Sequence, residues 1–300
     1  MPLPHLLLLL VIMGFWGTNF VVQFWAVHLV PPTLFATLRF AAVALPLVFF
    51  LPKPSVSWQL LIGYAATSFT IQFTLLFLAL SWGMPPGLAS LVMQSQVFFT
   101  LLLLVLMGSE RPGALQWFGI LLGGLGMVLV ASGLGEGASL LAFAMTLSAA
   151  FFWGIGNVFT KKMGSVNAGE LVVWGSAIGA IGLFPISLWL DGRQAWGEAI
   201  GMLIDGHPML WACLIFNAYG ASIIGYGGWA WLLSRHPAGK VVPFTLLVPF
   251  FGMGSAALLL DEAVPRGAWL GVAMVIIGLL LNQLPKTAAR PASDRDHSTP

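Results

Sequence analysis

The segment from Pro85 to Glu110, PPGLASLVMQSQVFFTLLLLVLMGSE, determines how the rest of the chain is interpreted. An apolar stretch of this length predicts a single helix that crosses a lipid bilayer. Its centre nevertheless carries Gln94, Ser95 and Gln96, and polar side chains that face lipid are costly. We therefore expect these three side chains to face protein or water.

The same segment recurs in the second half of the chain. A constant shift in numbering places Pro85 on Pro237 and Glu110 on Glu262 without a gap. The match continues at Gly87 with Gly239, Phe98 with Phe250, Phe99 with Phe251, Trp117 with Trp269, Gly119 with Gly271 and Gly126 with Gly278. Proline, tryptophan and glutamate matches do not arise merely from an apolar composition, so we infer an internal duplication, which is common in transporter folds.

Composition sets the class of protein. The 300 residues are 59% hydrophobic and 7% charged, with a mean hydropathy of +0.94, whereas soluble domains carry about 25% charged residues. The sequence therefore predicts an all-α polytopic membrane protein. The net charge of +2 is too small to indicate a nucleic-acid partner, and the single cysteine, Cys213, excludes an internal disulfide.

Spans of about 20 apolar residues, bounded by proline, glycine or charge, predict ten transmembrane helices. The first apolar run continues past signal-peptide length, so we interpret it as a retained helix. The predicted spans are about 5–24, 33–51, 58–80, 86–108, 113–132, 138–160, 169–190, 209–232, 239–260 and 266–284.

The basic residues predict the orientation of these spans. With a cytoplasmic amino terminus, nine of the twelve lysines and arginines lie on the cytoplasmic side, which satisfies the positive-inside rule. Both termini are then cytoplasmic, in a bacterial inner membrane. Because five spans is an odd number, the second repeat must be inverted relative to the first. The predicted units are a first repeat at 1–135, a second at 136–285 and a disordered tail at 286–300.

The loop after Asp191 is longer than its counterpart in the first repeat. It carries Trp196, Ile200, Leu203 and Ile204 at helical spacing. This pattern predicts an amphipathic helix that lies at the periplasmic surface of the membrane.

Polar residues on the first span of each repeat are candidates for a substrate pathway. Trp16, Asn19 and Gln23 are spaced by three and four residues and share one helix face. Trp153 and Asn157 occupy similar positions in the second repeat. In the predicted orientation Asn19 lies towards the outside and Asn157 towards the inside. These residues either line a pathway or hydrogen-bond and pack between helices.

The third and fourth spans add hydroxyl and amide groups near the middle of the membrane. Ser68 and Gln72 lie one turn apart, as do Ser90 and Gln94. Successive residues of an α-helix are rotated by about 100°, so Gln94 and Gln96 are expected on nearly opposite sides. We assign Gln94 to the pathway and Gln96 to contacts between helices.

The eighth and ninth spans have aromatic and proline patterns. Tyr219, Ser222 and Tyr226 recur at helical spacing, which suits an amphipathic ligand as well as ordinary aromatic packing. Pro243 and Pro249 interrupt the ninth span. Proline removes a helical hydrogen bond, so these positions are candidate hinges.

Titratable residues within the spans are scarce. All ten carboxylates lie in loops, tails or span ends, so we predict a facilitator, or coupling through a terminal carboxylate such as Glu262. Arg39, near the outer end of the second span, either binds a substrate carboxylate or forms an outer ionic cluster with Asp261 and Glu262. No metal site and no cofactor are predicted.

Four motifs resemble the EamA-type amino-acid and metabolite exporters of the drug/metabolite transporter superfamily. They are WGTNFV at 16–21, PPTLFATLRF at 31–40, GMPPGLASLVMQSQVFFTLLL at 83–103 and LLVPFFGMGSAALLLDE at 246–262. The resemblance implies a bacterial inner-membrane carrier in which two inverted five-helix repeats surround a central cavity and move amino acids outward by alternating access. The small multidrug branch of the superfamily uses a glutamate in its first helix, and this chain has no acid from Leu6 to Gln23.

Other functions remain as alternatives. A nucleotide-sugar or sugar-phosphate carrier of the same superfamily would need several basic groups in the pathway. A structural membrane protein could use the same polar residues for packing. An intramembrane enzyme is not expected, because no histidine and no paired carboxylates lie in the interior of the spans. We expect a small-molecule substrate and a lipid environment, with a monomeric or homodimeric state.

Overall fold

Helices form the regular secondary structure of the chain. The computed structural model describes residues 1–133 and 139–283, and no strand occurs within those two ranges. The helices are α1 (Leu3–Val27), α2 (Pro32–Ala44), α3 (Trp58–Ser81), α4 (Pro86–Leu106), α5 (Ala114–Ser132), α6 (Leu140–Met163), α7 (Ala168–Leu190), α8 (Gly192–Ile204), α9 (Pro208–Arg235), α10 (Val242–Leu260) and α11 (Trp269–Gln283). A short helical turn, Ala238–Val241, leads into α10.

Eight of these helices are long and apolar enough to cross a membrane. The two shorter apolar helices are α2, with 13 residues, and α11, with 15. The protein is therefore an all-helical multi-pass membrane protein. The amphipathic segment after Asp191 forms α8, as the spacing of its apolar residues predicted.

The second predicted span, 33–51, is longer than the helix that forms there. Helix α2 ends at Ala44, and Leu45 is extended. Pro46 explains this end, because the residue before a proline is disfavoured in the α conformation. The predicted boundary between the repeats at 135/136 and the predicted tail at 286–300 lie outside the described residues.

Four helices contain segments that depart from α-helical geometry. Helix α3 has a π-helical segment at Ala66–Ile71, and α9 has one at Phe216–Ile224. Helix α4 has a 3₁₀ segment at Met93–Ser95, and α10 begins with one at Val242–Leu246. A π segment turns less per residue than an α-helix and a 3₁₀ segment turns more. Side chains on either side of such a segment therefore point in directions that a continuous α-helix does not give.

The helices pack in pairs that correspond between the two halves of the chain. Helix α1 contacts α10 as α4 contacts α6, and α3 contacts α6 as α1 contacts α9. Three further pairs are α5 with α11, α2 with α7, and α4 with α10. These contacts bring α1, α3, α4, α6, α9 and α10 around the middle of the molecule.

Glycines allow α5 and α11 to approach closely. A β-carbon at Gly126 would lie 2.7 Å from the carbonyl oxygen of Gly271, and one at Gly119 would lie 2.7 Å from that of Gly278. Both distances are too short for a real side chain, so the two backbones can touch only because these residues are glycine.

We expect Gly126→Ala to destabilise the protein, because its methyl group must push α5 away from α11. The cost of such overpacking is about 1–3 kcal/mol, which a thermal unfolding measurement in detergent would record as a lower Tm. Gly124→Ala is the matched control, since a β-carbon at Gly124 meets nothing within 4 Å. Equal Tm values for the two variants would contradict the close packing of α5 and α11.

Candidate functional site: a central cavity

A cavity of about 120 Å³ lies in the middle of the helix assembly. A water molecule needs only about 10–15 Å³, so this space can hold several waters or a small polar molecule. Its wall comes from α1, α2, α3, α4, α6, α9 and α10. The lining residues are Trp16, Asn19, Phe20, Gln23, Arg39, Gln72, Phe73, Leu76, Ser90, Met93, Gln94, Gln96, Trp153, Ala221, Tyr226, Thr245 and Val248.

Most of the candidate pathway residues line this central cavity. The stripe on α1 contributes three of them, and the other five come from α3, α4, α6 and α9. The eight residues are Trp16, Asn19, Gln23, Gln72, Ser90, Gln94, Trp153 and Tyr226. The structure therefore brings together side chains from five helices that are far apart in sequence.

The interpretation of Tyr219, Ser222 and Tyr226 as one stripe is wrong in its geometry. Tyr219 is 44% exposed and is not among the lining residues, whereas Tyr226 is. The π-helical segment Phe216–Ile224 lies between them, and its smaller rotation per residue moves Tyr219 away from the face of Tyr226. Ser222 is buried next to Arg39 rather than in the cavity wall.

Two amide side chains of α1 line the cavity, and their oxygens have no protein partner. Asn19 and Gln23 are 8% and 2% exposed, and neither Asn19 Oδ1 nor Gln23 Oε1 accepts a hydrogen bond from the protein. Buried polar atoms are nearly always hydrogen-bonded. The protein therefore leaves these two acceptors unused, in side chains that line the cavity.

Gln94 connects two helices across the cavity. Its Nε2 donates a hydrogen bond to the backbone oxygen of Thr245, at 3.1 Å. Thr245 lies in the 3₁₀ segment at the start of α10, where the candidate hinge Pro243 also lies. Pro249 is the third residue of the regular part of α10 and is buried. The two prolines thus flank the residues of α10 that line the cavity, Thr245 and Val248.

An aromatic group covers one side of the cavity. Trp16 Nε1 donates a hydrogen bond to the backbone oxygen of Ala221, at 2.9 Å. The Trp16 ring lies 5.4 Å from the ring of Tyr226 and 5.4 Å from that of Trp229, measured between centroids. A fixed indole and a phenol ring can pack against an apolar group and still offer polar edges.

Arg39 lies in the wall of the central cavity and is only 2% exposed. Its guanidinium carbon is 4.5 Å from the ring centre of Phe73 and 5.0 Å from that of Phe40. Its Nη2 donates to Ser222 Oγ at the long distance of 3.4 Å, while Nε and Nη1 have no hydrogen-bond partner. The sequence alone had left the role of this residue open.

The predicted outer cluster of Arg39 with Asp261 and Glu262 does not form. Glu262 Oε2 instead accepts a hydrogen bond from the backbone N–H of Gly87, at 3.0 Å, in the first turn of α4. Asp261 ends α10 in a left-handed conformation, with φ of 52°. Asp261 and Glu262 therefore serve at helix ends. In the part of the chain that the structure describes, the salt bridge is between Lys161 and Glu110, at 2.8 Å.

A second cavity lies beside the first. It is bordered by Gln96, Val97, Thr100, Leu101, Leu104, Glu110, Gln116, Asn157 and Asn282. Asn157 Nδ2 donates to Gln96 Oε1 at 2.6 Å and to Thr100 Oγ1 at 3.0 Å. The two candidate asparagines therefore lie in different cavities, with Asn19 in the central one and Asn157 in the second.

Gln96 borders both cavities, which corrects the expectation that Gln94 and Gln96 face opposite sides. The 3₁₀ segment Met93–Ser95 is the reason. Its three residues per turn separate Gln94 and Gln96 by about 120° rather than about 160°. The expected contact of Gln96 between helices is present as its hydrogen bond to Asn157.

Burial raises the pKa of the Glu262 carboxyl above its ordinary value, and hydrogen bonds from the backbone of Gly87 and Leu88 oppose that rise.

Within residues 1–133 and 139–283, no cluster of three or more histidine, cysteine or acidic side chains has metal-binding geometry.

A multi-pass helical fold with a polar and aromatic cavity between its helices is typical of membrane transporters. A model of the EamA-like transporter family matches residues 3–132 and 140–284. The chain belongs to this family.

Two bacterial relatives cover nearly the whole chain. One, from Escherichia coli (strain K12), is named "Probable amino-acid metabolite efflux pump" and is 42% identical over 92% of this chain and 93% of its own length. A protein of the same name from Salmonella typhimurium is 40% identical over the same shares. One solved crystal structure of a protein matches with a TM-score of 0.59 over 94% of this chain and 96% of its own, at 16% identity, which shows a shared fold.

We expect Glu262→Gln to change how stability depends on pH. A raised pKa in the folded state means that the protonated carboxyl favours folding, and that this contribution is lost as pH rises from the unfolded pKa of about 4.3 through the folded pKa. The Tm of wild type relative to Glu262→Gln should therefore fall as pH increases from about 4 to 7.

Asp261→Asn is the control for this measurement. Asn also tolerates the left-handed conformation, and Asp261 is exposed. The Tm of Asp261→Asn should therefore follow the wild-type pH dependence. An unchanged pH dependence in Glu262→Gln would contradict the burial effect at this carboxyl.

Proposed function

We propose that the protein exports amino acids and related small metabolites across the bacterial inner membrane by alternating access. The observation that carries this proposal is the central cavity, where amide oxygens without protein partners lie beside aromatic rings. The two bacterial relatives are both named "Probable amino-acid metabolite efflux pump", and this name supports the same direction of transport. We accordingly propose a transporter rather than an enzyme.

The chemistry of the cavity suits a neutral amino acid. An α-ammonium group is a hydrogen-bond donor, and Asn19 Oδ1 and Gln23 Oε1 are acceptors that the protein leaves unused. The side chain of the substrate would pack against Trp16 and Tyr226. Aromatic, sulfur-containing and small aliphatic side chains all fit such a surface, so the cavity selects the amino-acid group more strongly than the side chain.

We further propose that the chain consists of two inverted five-helix repeats, with ten crossings and both termini in the cytoplasm. The corresponding helix contacts support this arrangement, as does the separate match of the family model to 3–132 and 140–284. The glycines support it as well. Gly119 and Gly271 match in the alignment of the halves, and so do Gly126 and Gly278, while the contacts pair them crosswise, as a two-fold axis between α5 and α11 would require.

The wall between the two cavities is a candidate inner gate. Gln96 borders both cavities and is held by Asn157. In the proposed orientation the second cavity lies on the cytoplasmic side, because it is bordered by Glu110, which pairs with Lys161 on that side. Opening the hydrogen bond between Gln96 and Asn157 would connect the cytoplasm to the central cavity. Bending of α10 at Pro243 and Pro249 is the proposed hinge motion.

We propose that transport is facilitated rather than driven by protons. The lining residues of the central cavity include no carboxylate and no histidine, so proton and substrate have no shared group for which to compete. Glu262 remains the alternative coupling site, because it is the partly buried acid that holds α10 to α4. A sugar-phosphate carrier is less well supported, because Arg39 is the single basic residue in that wall.

Counterflow in proteoliposomes tests the transport proposal. We expect labelled L-Phe, L-Met, L-Thr or L-Cys to exchange against the same unlabelled amino acid, with or without a pH gradient. Exchange of none of the four would overturn the proposal and favour a structural role. Exchange that requires a pH gradient would overturn facilitation alone.

Asn19→Leu should reduce transport because it removes one of the free acceptors in the central cavity. A hydrogen bond to a charged group contributes about 1.5–3 kcal/mol, so kcat/KM should fall about tenfold or more. Ser148→Ala is the control, since Ser148 is exposed and bonds only within its own helix. Equal flux in Asn19→Leu and wild type would remove Asn19 from the substrate site.

The gate can be tested by cysteine labelling, because Cys213 is the single cysteine in the sequence. In a Cys213→Ala background, Ala221→Cys places a thiol in the central cavity. We expect Asn157→Ala to increase its labelling by a membrane-impermeant reagent from the cytoplasmic side several-fold. Asn282→Ala, which alters the second cavity without touching Gln96, should leave labelling unchanged. Equal labelling in both variants would contradict the gate.

A further inference from the structure

The guanidinium group of Arg39 is the one charged group among the residues that line the central cavity. Burial of a charge is costly unless it is paired and hydrogen-bonded. Arg39 has five N–H donors, yet its contact to a hydrogen-bond acceptor in the protein is the 3.4 Å approach to Ser222 Oγ. The protein therefore leaves most of the donor capacity of this side chain unused.

Three contacts hold the guanidinium group in a fixed position. The rings of Phe73 and Phe40 lie 4.5 and 5.0 Å from its central carbon, and such cation–π contacts stabilise a cation without using its N–H donors. Ser222 donates its own hydrogen to the backbone oxygen of Asn217 at 2.8 Å. Its oxygen is therefore turned to accept from Arg39. The group is positioned like one that binds a ligand.

We infer that Arg39 binds the carboxylate of the transported amino acid. Arg39 thereby selects zwitterionic amino acids as the substrate class. This inference rests on the transport function proposed above. A guanidinium group binds a carboxylate through two parallel N–H···O bonds. In Arg39, Nη2 can form such a parallel pair with either Nε or Nη1, and both of these neighbours are without hydrogen-bond partners. The acceptors Asn19 Oδ1 and Gln23 Oε1 provide the complementary pole for the ammonium group.

The charge of the wall distinguishes a carboxylate from a phosphate. The lining holds one cation and no anion, so a bound zwitterion leaves the cavity with a charge of +1, whereas a phosphate dianion would reverse its sign. Free amide oxygens would also repel phosphate oxygens, because both are acceptors. The observations therefore favour a carboxylate carried by a molecule that also has an ammonium group.

Competition in wild-type protein tests this inference without any substitution. Counterflow of labelled L-methionine is measured at about pH 6.5, below the α-amino pKa of about 7.7, with unlabelled L-methionine, L-methioninamide or glucose 6-phosphate as competitor. L-Methioninamide keeps the side chain and the ammonium group but lacks the carboxylate. We expect it to inhibit about 10- to 100-fold more weakly than L-methionine, and glucose 6-phosphate not to inhibit.

Substitution at Arg39 then assigns the effect to this residue. In Arg39→Met the advantage of L-methionine over L-methioninamide should disappear, and Arg39→Lys should restore part of it, because a lysine keeps the charge but not the two parallel bonds. Arg235→Met is the matched control, since Arg235 also lies over an aromatic ring, that of Trp231, at 4.1 Å, but outside the cavity. Arg235→Met should prefer L-methionine over L-methioninamide as strongly as the wild type does.

Two results would overturn the inference while leaving amino-acid transport intact. The first is that L-methionine and L-methioninamide inhibit the wild-type protein equally. The second is that Arg39→Met still prefers L-methionine over L-methioninamide. Strong inhibition by glucose 6-phosphate would overturn it in favour of a phosphate site. Failure of L-methionine and of every other amino acid in the counterflow panel to exchange would overturn the transport function itself.

Discussion

Lipid offers no hydrogen-bond partner, so every polar group within the membrane must be satisfied by the protein or by water that the protein encloses. This constraint explains where the polar side chains of the spans lie. Asn19, Gln23, Gln72 and Gln94 are all buried, and all face one cavity. Gln96 and Asn157 satisfy the same constraint by bonding to each other between α4 and α6. A polar interior surrounded by apolar helices is the consequence, and it provides the site on which the proposed transport depends.

The sequence predicted the class of fold well because its signals are long and repeated. Apolar spans, the matched pairs such as Trp117 with Trp269, and the amphipathic spacing around Trp196 each extend over many residues. Helical periodicity also identified eight of the residues that line the cavity. The reason is that a polar side chain inside an apolar span is costly in lipid and therefore faces the protein interior or a cavity. The end of α2 at Ala44 was missed, although Pro46 provides a local signal for it.

The predictions that were wrong depend on helix geometry and on contacts between residues far apart in the sequence. Regular α-helices would place Tyr219 in the cavity wall and Gln96 on the side away from it. The π segment in α9 and the 3₁₀ segment in α4 change the directions of these two side chains. For Arg39 the sequence offers two roles, and one of them is a cluster with Asp261 and Glu262, because all three lie towards one end of the spans. The structure instead uses Glu262 to accept the backbone N–H of Gly87. No pattern in the sequence indicates that Phe40 and Phe73 hold the guanidinium group in the cavity.

The proposed transport requires that an amino acid binds between Trp16, Tyr226 and the amide groups of α1. A crystal structure of the protein with bound L-selenomethionine tests it most directly, because the anomalous signal of selenium locates the ligand without ambiguity. We expect one selenium position inside the central cavity, against the rings of Trp16 and Tyr226. A selenium position elsewhere in the molecule, with the central cavity empty at saturating ligand, would contradict it.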